Sequence, residues 1–444
     1  MKILKDIFNR FGGSFAKTDL SRRFAGAAFW SFAGAASQKI LLLGTSFLCM
    51  YILGKAGYGK LSIVRSTIQI FVLFGAVGMG STATKYIAEF RDKDPARLTG
   101  IYSIVNLFAF SAGVLATAAI LCFAHQIADY LKDPQLVNTV RIGALLLFFS
   151  IINSIQTGIL TGLEKFREIA AISALGGIVE FVCIILGSVY FSVIGALLGY
   201  GIGFLFLTVM NQYAIGKCRC PELHFSRKAV NVADTKELLF FSIPLLGSSL
   251  LVSPVMWLSQ SLLVRYGDFS ELGVYAAADQ WRMVLLFIPS ALSRIVLPML
   301  SNLNGKDSVK SYLKVLKINL YVNAGTTFLF LLLFLAVLPV ILMCYRLSSS
   351  CYLIFAVLAG STFFSSLAAV FGQAITSQGK TWIGLWFNLG WGVMVIVSTV
   401  LFLHLGLGAL ALALGMLTSY LLHTLFQGFY FIYFLKNYNK GEAR

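Results

Sequence analysis

Charged residues are scarce in this 444-residue sequence, and acidic residues are the scarcest of them. Asp, Glu, Lys and Arg make up 12% of the residues, about half the share usual in soluble domains. Hydrophobic residues reach 58%. This balance excludes an ordinary soluble enzyme. Only 18 residues are acidic against 35 basic ones, so the formal net charge is +17.

Several sequence features that would point to other functions are also missing. No glycine-lysine loop that could cradle ATP phosphates is present. The stretch from Met1 to Arg23 is basic and amphipathic, so it does not have the pattern of a signal peptide. The one cluster of Cys218, Cys220 and His224 is a weak zinc signal. We therefore expect no cofactor, no metal and no catalytic site.

What remains is a series of apolar runs, each long enough for a membrane helix of about 20 residues. They predict an all-α integral membrane protein with 12 transmembrane helices. The predicted spans are 24–50, 60–88, 98–124, 136–160, 169–190, 194–216, 238–264, 273–300, 312–343, 352–376, 382–403 and 408–434.

The basic residues predict the orientation of these spans. With a cytoplasmic N-terminus, the cytoplasmic segments hold 22 Lys and Arg residues and the outer segments hold 5. Cytoplasmic loops of membrane proteins carry such an excess. Both termini are then expected inside. The positive charge is better matched to anionic membrane lipids than to nucleic acid, which we do not expect as a partner.

A weak internal repeat divides the chain into two halves. Gly57-Tyr58-Gly59 is echoed by Leu272-Gly273-Val274-Tyr275, and Gly59 and Gly273 lie 214 positions apart. Six spans on each side place the halves in the same direction across the membrane, as in parallel repeats. We predict an N-terminal six-helix bundle at 1–216, a cytoplasmic linker at 217–236 and a C-terminal six-helix bundle at 237–444.

Charges within the spans are the most informative functional feature. The spans contain two acids, Glu180 and Asp279, which are the candidates for coupling to a proton or sodium ion. Asp279 lies three residues before Arg282, on the same helix face. The candidates for an anion-binding cavity are six cations: Lys39, Arg65, Lys85, Arg141, Arg282 and Arg294.

Insertion energies favour a cavity for these cations. A central Lys or Arg costs about 2.5–3.5 kcal/mol when it faces lipid, so exposing all six is implausible. At least four lack an acidic partner within the spans. A water-filled cavity with such an excess would attract anions. The alternative for Arg65, Lys85, Arg141 and Arg294 is that each reaches the nearer membrane surface.

Glycines and prolines predict where helices pack or bend. Gly195, Gly199 and Gly203 recur every four residues, which predicts a face for close helix packing. Each proline within a span removes a backbone hydrogen bond and favours a kink. The prolines concerned are Pro244, Pro254, Pro289 and Pro298.

Short motifs in both halves resemble the polysaccharide-type lipid flippases, the O-antigen flippases (Wzx-type) of the multidrug/oligosaccharidyl-lipid/polysaccharide exporter superfamily. The matching stretches are Leu53-Gly54-Lys55-Ala56-Gly57-Tyr58-Gly59, Thr84-Lys85-Tyr86-Ile87-Ala88-Glu89, Gly273-Val274-Tyr275-Ala276-Ala277-Ala278 and Leu297-Pro298-Met299-Leu300-Ser301. The resemblance covers essentially the whole chain in span count and layout.

The resemblance implies a MATE-like fold, with two six-helix bundles around a V-shaped central cavity. It also implies a substrate, an oligosaccharide on undecaprenyl pyrophosphate that crosses from the cytoplasmic to the periplasmic leaflet of a bacterial inner membrane by alternating access. A polysaccharide polymerase and a chain-length regulator become candidate partners. Two other functions remain open: a multidrug or cation antiporter of the same superfamily, and a membrane polysaccharide polymerase.

Overall fold

A computed structural model of the chain describes residues 19–76, 78–218, 220, 222–249, 251–287, 289–290 and 309–439. Within these ranges the chain is helical and has no β-strand. The α-helices are α1 Asp19–Ala76, α2 Met79–Phe90, α3 Pro95–Tyr130, α4 Leu136–Gly162, α5 Phe166–Lys217, α6 Val232–Ser249, α7 Val252–Tyr266, α8 Phe269–Leu285, α9 Val309–Cys344, α10 Tyr352–Ser377, α11 Thr381–His404 and α12 Ala409–Asn439. Two short 3₁₀ turns lie at Arg227–Ala229 and Ser349–Cys351.

Eight of the described helices are long and apolar enough to cross a membrane. Two of the eight, α1 and α5, are interrupted by non-helical residues and contribute two arms each. The second arm of α1 continues into α2, and α6 with α7 corresponds to the predicted seventh span. Helix α8 begins the eighth span. The prediction of an all-α, 12-span membrane protein is confirmed.

The chain reverses direction inside α1 at a single residue. Gly54 has φ 71° and ψ 178°, a conformation that glycine adopts readily because it has no Cβ. The Tyr58 hydroxyl donates to Ser46 Oγ at 2.8 Å. These residues are 12 positions apart and would lie about 18 Å apart along an unbroken helix. The first two spans therefore form a tight antiparallel hairpin.

The two arms of α5 form a second hairpin, which turns at Phe191 and Ser192. Along it, Gly195, Gly199 and Gly203 face Gly187, Cys183 and Glu180 in turn. A Cβ built on Gly203 would lie only 2.7 Å from the Cβ of Glu180. The predicted glycine packing face is confirmed, and its partner is the preceding span.

Two of the four prolines lie close to the end of a described helix, and the predicted kinks at them stay predictions. Pro254 has no N–H to donate to the carbonyl four residues earlier. Helix α6 ends at Ser249 and α7 begins at Val252, just before this proline. Pro289 likewise has no N–H to donate to the carbonyl of Leu285, and α8 ends at Leu285. Helix α6 continues past Pro244. Pro298 and Arg294 lie outside the described residues.

The second span also contains a break that was not predicted. We expected one continuous run over 60–88, but α1 ends at Ala76 and α2 begins at Met79. Between them Gly78 has φ 65°, in the left-handed region. The physical reason is a local run of glycines, Gly75, Gly78 and Gly80, which weakens helical order there.

The two halves cross each other at Gly59 and Gly273. We use "outer end" for the end of the molecule that holds the turns at Gly54, Lys132, Ser192, Gly267 and Arg346. There, a Cβ on Gly59 would collide with the carbonyl of Phe269, and a Cβ on Gly273 would collide with the carbonyl of Lys55. Gly59 and Gly273 are 214 positions apart, and so are Lys55 and Phe269, so each contact is the counterpart of the other. Such reciprocal contacts arise where two related elements meet at a two-fold axis, which supports the predicted repeat.

Further contacts close the outer end. Lys132 Nζ donates to the carbonyl of Arg265 at 3.2 Å, and the Arg265 guanidinium lies 4.5 Å from the centre of the Tyr130 ring. Tyr130 stacks on Trp257, whose indole donates to Thr67 Oγ1 at 2.8 Å. At the opposite, inner end, the C-terminal half has a separate apolar cluster. Its members are Tyr312, Leu316, Val370, Ala374 and Phe431.

Candidate functional site

Three charged residues from both halves form the polar centre of the protein, and we call them the inter-half triad. Lys39 lies on the first arm of α1, and Asp279 and Arg282 lie on α8. Lys39 is close enough to interact electrostatically with both of the others. The structure thus brings Lys39 and Arg282 together across the two halves, as the sequence predicted.

Within the triad, Arg282 and Asp279 form the predicted ion pair. Arg282 Nε donates to Asp279 Oδ1 at 2.6 Å, and their side chains are only 5% and 14% exposed. Tyr275, which is fully buried, lies one turn before Asp279 on the same face. The charge of Arg282 is therefore balanced by its own helix, and its guanidinium is largely inaccessible in this conformation.

Lys39 differs from Arg282 because it is partly exposed. Among the described residues it makes no salt bridge within 4 Å, since Asp279 is engaged by Arg282. The triad consequently carries a net charge of +1, and the cation without a salt bridge is Lys39, which is partly exposed. An ammonium is a point charge with three donors, so it can accept an anionic oxygen from several directions.

The N-terminal half contains a second charged pair, Arg65 and Glu180. Arg65 lies on the second arm of α1, with its guanidinium carbon 4.5 Å from the centre of the Tyr200 ring. It interacts electrostatically with Glu180, which packs against Gly203. Both charged side chains are partly buried. Among the described residues these two side chains form no salt bridge within 4 Å, in contrast to Arg282 and Asp279.

Lys85 and Arg141 are not brought to the triad. Lys85 is exposed on α2, where its ammonium lies 4.2 Å and 4.3 Å from the ring centres of Tyr86 and Phe241. Arg141 is exposed near the outer end of α4 and lies 3.4 Å from His125 Nε2. Lys85 has cation–π contacts and Arg141 has a histidine neighbour, in place of the central cavity that we expected for them.

Aromatic residues complete the polar centre, and sequence reasoning missed them. Tyr200 covers Arg65, and Tyr345 from the C-terminal half reaches Ser46 of the N-terminal half at 3.4 Å. Ser46 accepts from Tyr58 as well. Sequence offers only one signal for these contacts, the Tyr58 in the repeated glycine motif, because aromatic residues are common in every span.

Comparisons with known proteins agree with this architecture. The family model described as "Polysaccharide biosynthesis protein" matches residues 25–304. Over 380 residues the chain is 26% identical to a Shigella flexneri protein assigned as an O-antigen transporter, covering 79% of this chain and 84% of that protein. It is 24% identical over 188 residues to the EPS I polysaccharide export inner membrane protein EpsE of Ralstonia nicotianae, covering 42% of this chain and 43% of that one.

Solved structures show the same fold. An inward-facing multidrug resistance MATE family transporter of the MOP superfamily superposes with a TM-score of 0.80 at 14% identity, covering 90% of this chain and 96% of that chain. An outward-facing structure of such a transporter gives 0.66 at 13% identity, covering 94% and 96%.

Proposed function

The chain belongs to the polysaccharide biosynthesis protein family, and from this premise we propose that it is a lipid-linked oligosaccharide flippase rather than an enzyme. Its substrate would be an O-antigen or exopolysaccharide repeat unit on undecaprenyl pyrophosphate. It would move this lipid from the cytoplasmic to the periplasmic leaflet of a bacterial inner membrane. The names of the two sequence relatives, an O-antigen transporter and a polysaccharide export protein, support this substrate class.

One observation carries the proposal beyond family membership: the net positive charge of the inter-half triad rests on Lys39. A pyrophosphate offers several anionic oxygens, which lysine and arginine bind through charge-assisted hydrogen bonds. Lys39 binds the first of these oxygens, because no carboxylate among the described residues forms a salt bridge with it. Arg282 is the second donor, and it becomes available when an incoming phosphate competes with Asp279.

The closed outer end supports alternating access. Gly59 and Gly273 bring the halves into backbone contact there, so the triad cannot be reached from that side in this conformation. A substrate enters from the inner side, and the halves then rock about the polar centre until the outer contacts separate. Transport in this scheme requires the loss of the Gly59–Gly273 contact.

Coupling to an ion gradient would involve the acids of the two charged pairs. Asp279 forms an ion pair with Arg282, and Glu180 interacts electrostatically with Arg65, so a proton or sodium ion on either acid would weaken its attraction for that arginine. On Asp279 the released group is Arg282, the proposed second phosphate donor. Ion binding and substrate binding would then be linked through one ion pair.

The rival functions fit the geometry less well. A cation exporter would face a polar centre with net positive charge, which repels its substrates. The likeness to a multidrug transporter at 14% identity shows the fold alone. A polymerase would need room for a catalytic loop, and the described outer turns span only a few residues each.

Deletion of the gene in its native host tests the proposal. Loss of a flippase should cause a lipid-linked oligosaccharide to accumulate on the cytoplasmic leaflet, and surface polysaccharide should disappear. Expression of Lys39→Arg should restore surface polysaccharide largely, and Lys39→Gln should not. If the deletion strain accumulates no lipid-linked glycan and keeps its surface polysaccharide, the proposed function is wrong.

A further inference from the structure

An apolar slot lies between the two halves, beside the inter-half triad. Its volume is about 320 Å³, and its walls come from the first arm of α1, from α8 and from α9. We call it the lateral slot, and the side chains that define it are Leu43, Phe47, Trp281, Val340, Cys344 and Tyr345.

The lateral slot has a rim that faces away from the protein and a buried wall. Val340 and Cys344 are exposed on α9, and Val340 has 58% of its surface accessible. Ile341 and Tyr345 on the same helix are buried. Because α9 is one of the membrane-capable helices, an exposed apolar rim on it meets hydrocarbon. The slot therefore connects the membrane with the interface between the halves.

The slot lies next to the triad along both α1 and α8, although no member of the triad lines it. Lys39, Leu43 and Phe47 are spaced by four residues and follow one face of the first arm of α1, rising about 6 Å at each step. On the opposite wall, Trp281 directly precedes Arg282. A cationic side chain and an apolar slot thus follow one another along the helix. An anionic lipid has the matching arrangement, a charged headgroup followed by a hydrocarbon chain.

We propose that the lateral slot holds the polyprenyl chain of the lipid-linked substrate while Lys39 holds its phosphate. This inference rests on the proposed function and adds to it the part of the protein that accepts the hydrocarbon. A membrane helix with its side chains is about 10 Å wide, too wide for a slot of this volume. A segment of a single unbranched or isoprenoid chain fits, and the rest of a polyprenyl chain would extend into the bilayer. An ordinary phospholipid acyl chain is the competing occupant that the test must distinguish.

Native cysteines provide a direct measurement. Cys344 lies on the rim of the slot, and Cys122 is a second exposed cysteine on α3, in the N-terminal half away from the slot. The rate at which a maleimide modifies each is measured by peptide mass spectrometry on the purified full-length protein in nanodiscs. The probes are undecaprenyl pyrophosphate, undecaprenol, inorganic pyrophosphate and a phosphatidylglycerol with two oleoyl chains.

The proposal predicts a specific pattern of protection. At ten times its dissociation constant, undecaprenyl pyrophosphate should slow modification of Cys344 about tenfold and leave Cys122 unchanged. Inorganic pyrophosphate should protect neither cysteine. In Lys39→Gln, the protection by undecaprenyl pyrophosphate should fall to the level that undecaprenol gives. Equal protection by the phosphatidylglycerol, or equal slowing of both cysteines, would overturn the assignment.

A pair of matched variants tests the same slot through transport. Val340 and Val337 are both exposed on α9, at 58% and 51%, but only Val340 lines the slot. Val340→Trp should fill it and reduce flipping of the lipid-linked glycan in vesicles at least fivefold, whereas Val337→Trp should not. If wild type flips the glycolipid but both tryptophan variants match it, the slot assignment is wrong and the proposed function stands. If wild type does not flip it, the proposed function itself fails, whatever Cys344 shows.

Discussion

Removal of the Arg282 guanidinium should destabilise the protein more than removal of a surface arginine with two acidic partners. Arg282→Ala leaves the Asp279 carboxylate, which is only 14% exposed, without its partner. Breaking a buried ion pair from one side costs about 3–5 kcal/mol, because the remaining charge stays buried and uncompensated. Asp279→Ala should cost a similar amount, since it leaves the Arg282 guanidinium, which is 5% exposed, without its partner.

Arg97 is a matched control for this prediction. It contacts Asp234 at 2.9 Å and Glu237 at 2.6 Å, but its side chain is 32% exposed at the inner end. Surface ion pairs contribute about 0–1 kcal/mol, so Arg97→Ala should change stability little. The two substitutions remove the same group from ion pairs of similar length. What separates their predicted effects is the place of the acids that remain, since Asp279 lies within a span whereas Asp234 and Glu237 lie at the inner end of the molecule.

Removing both charges of the buried pair should restore stability. In Arg282→Ala combined with Asp279→Ala, no charge remains to be buried, so most of the 3–5 kcal/mol lost in either single variant should return. The assay is a double-mutant cycle on purified protein, with thermal unfolding followed by intrinsic fluorescence and membrane levels measured alongside. If the double variant is less stable than both single variants, Arg282 does not act as the counter-ion of Asp279.

The outer contacts, the acids and the orientation give three further predictions. Gly59→Ala should weaken the outer closure by about 1–3 kcal/mol, because its Cβ would clash with a backbone carbonyl. An impermeant maleimide should then modify a Thr67→Cys variant faster. Gly216→Ala is the control, since a Cβ there meets nothing within 4 Å, and it should not have this effect. Glu180→Gln and Asp279→Asn should between them remove any dependence of flipping on an ion gradient, and unchanged dependence in both variants would refute coupling through these acids. Impermeant thiol labelling of single cysteines should report the outer side at Lys132, Asp268 and Arg346 and the cytoplasm at Lys165, Lys228 and Lys380, and one reproducible exchange between these sets would contradict the topology.

Most of the architecture was predictable because it depends on local composition. The spans follow from the lengths of apolar runs, and the glycine face of the sixth span follows from a spacing of four. The ion pair of Asp279 and Arg282 follows from a spacing of three on one helix. The repeat predicted that Gly59 and Gly273 are related, although not that they touch each other.

The rest depends on which way each helix faces, and a single sequence does not contain that information. Lys85 and Lys39 are both lysines within apolar runs, yet one contacts two aromatic rings and the other joins the triad. The sequence was equally ambiguous about whether a proline within a span ends the helix. Helix α9 continues through Pro339, whereas α8 ends one turn before Pro289, because neighbouring contacts decide whether the lost hydrogen bond is tolerated.

Transport by the purified protein tests the central claim most directly. The full-length protein is reconstituted in vesicles with an undecaprenyl-pyrophosphate-linked oligosaccharide, and the glycan that becomes accessible on the opposite leaflet is measured with a membrane-impermeant glycosidase. Wild type should flip the lipid, Lys39→Arg should retain most of the rate, and Lys39→Gln should lose it while keeping wild-type thermal stability, since Lys39 has no salt bridge among the described residues to break. Undiminished flipping by Lys39→Gln would contradict the role of the inter-half triad in binding the pyrophosphate.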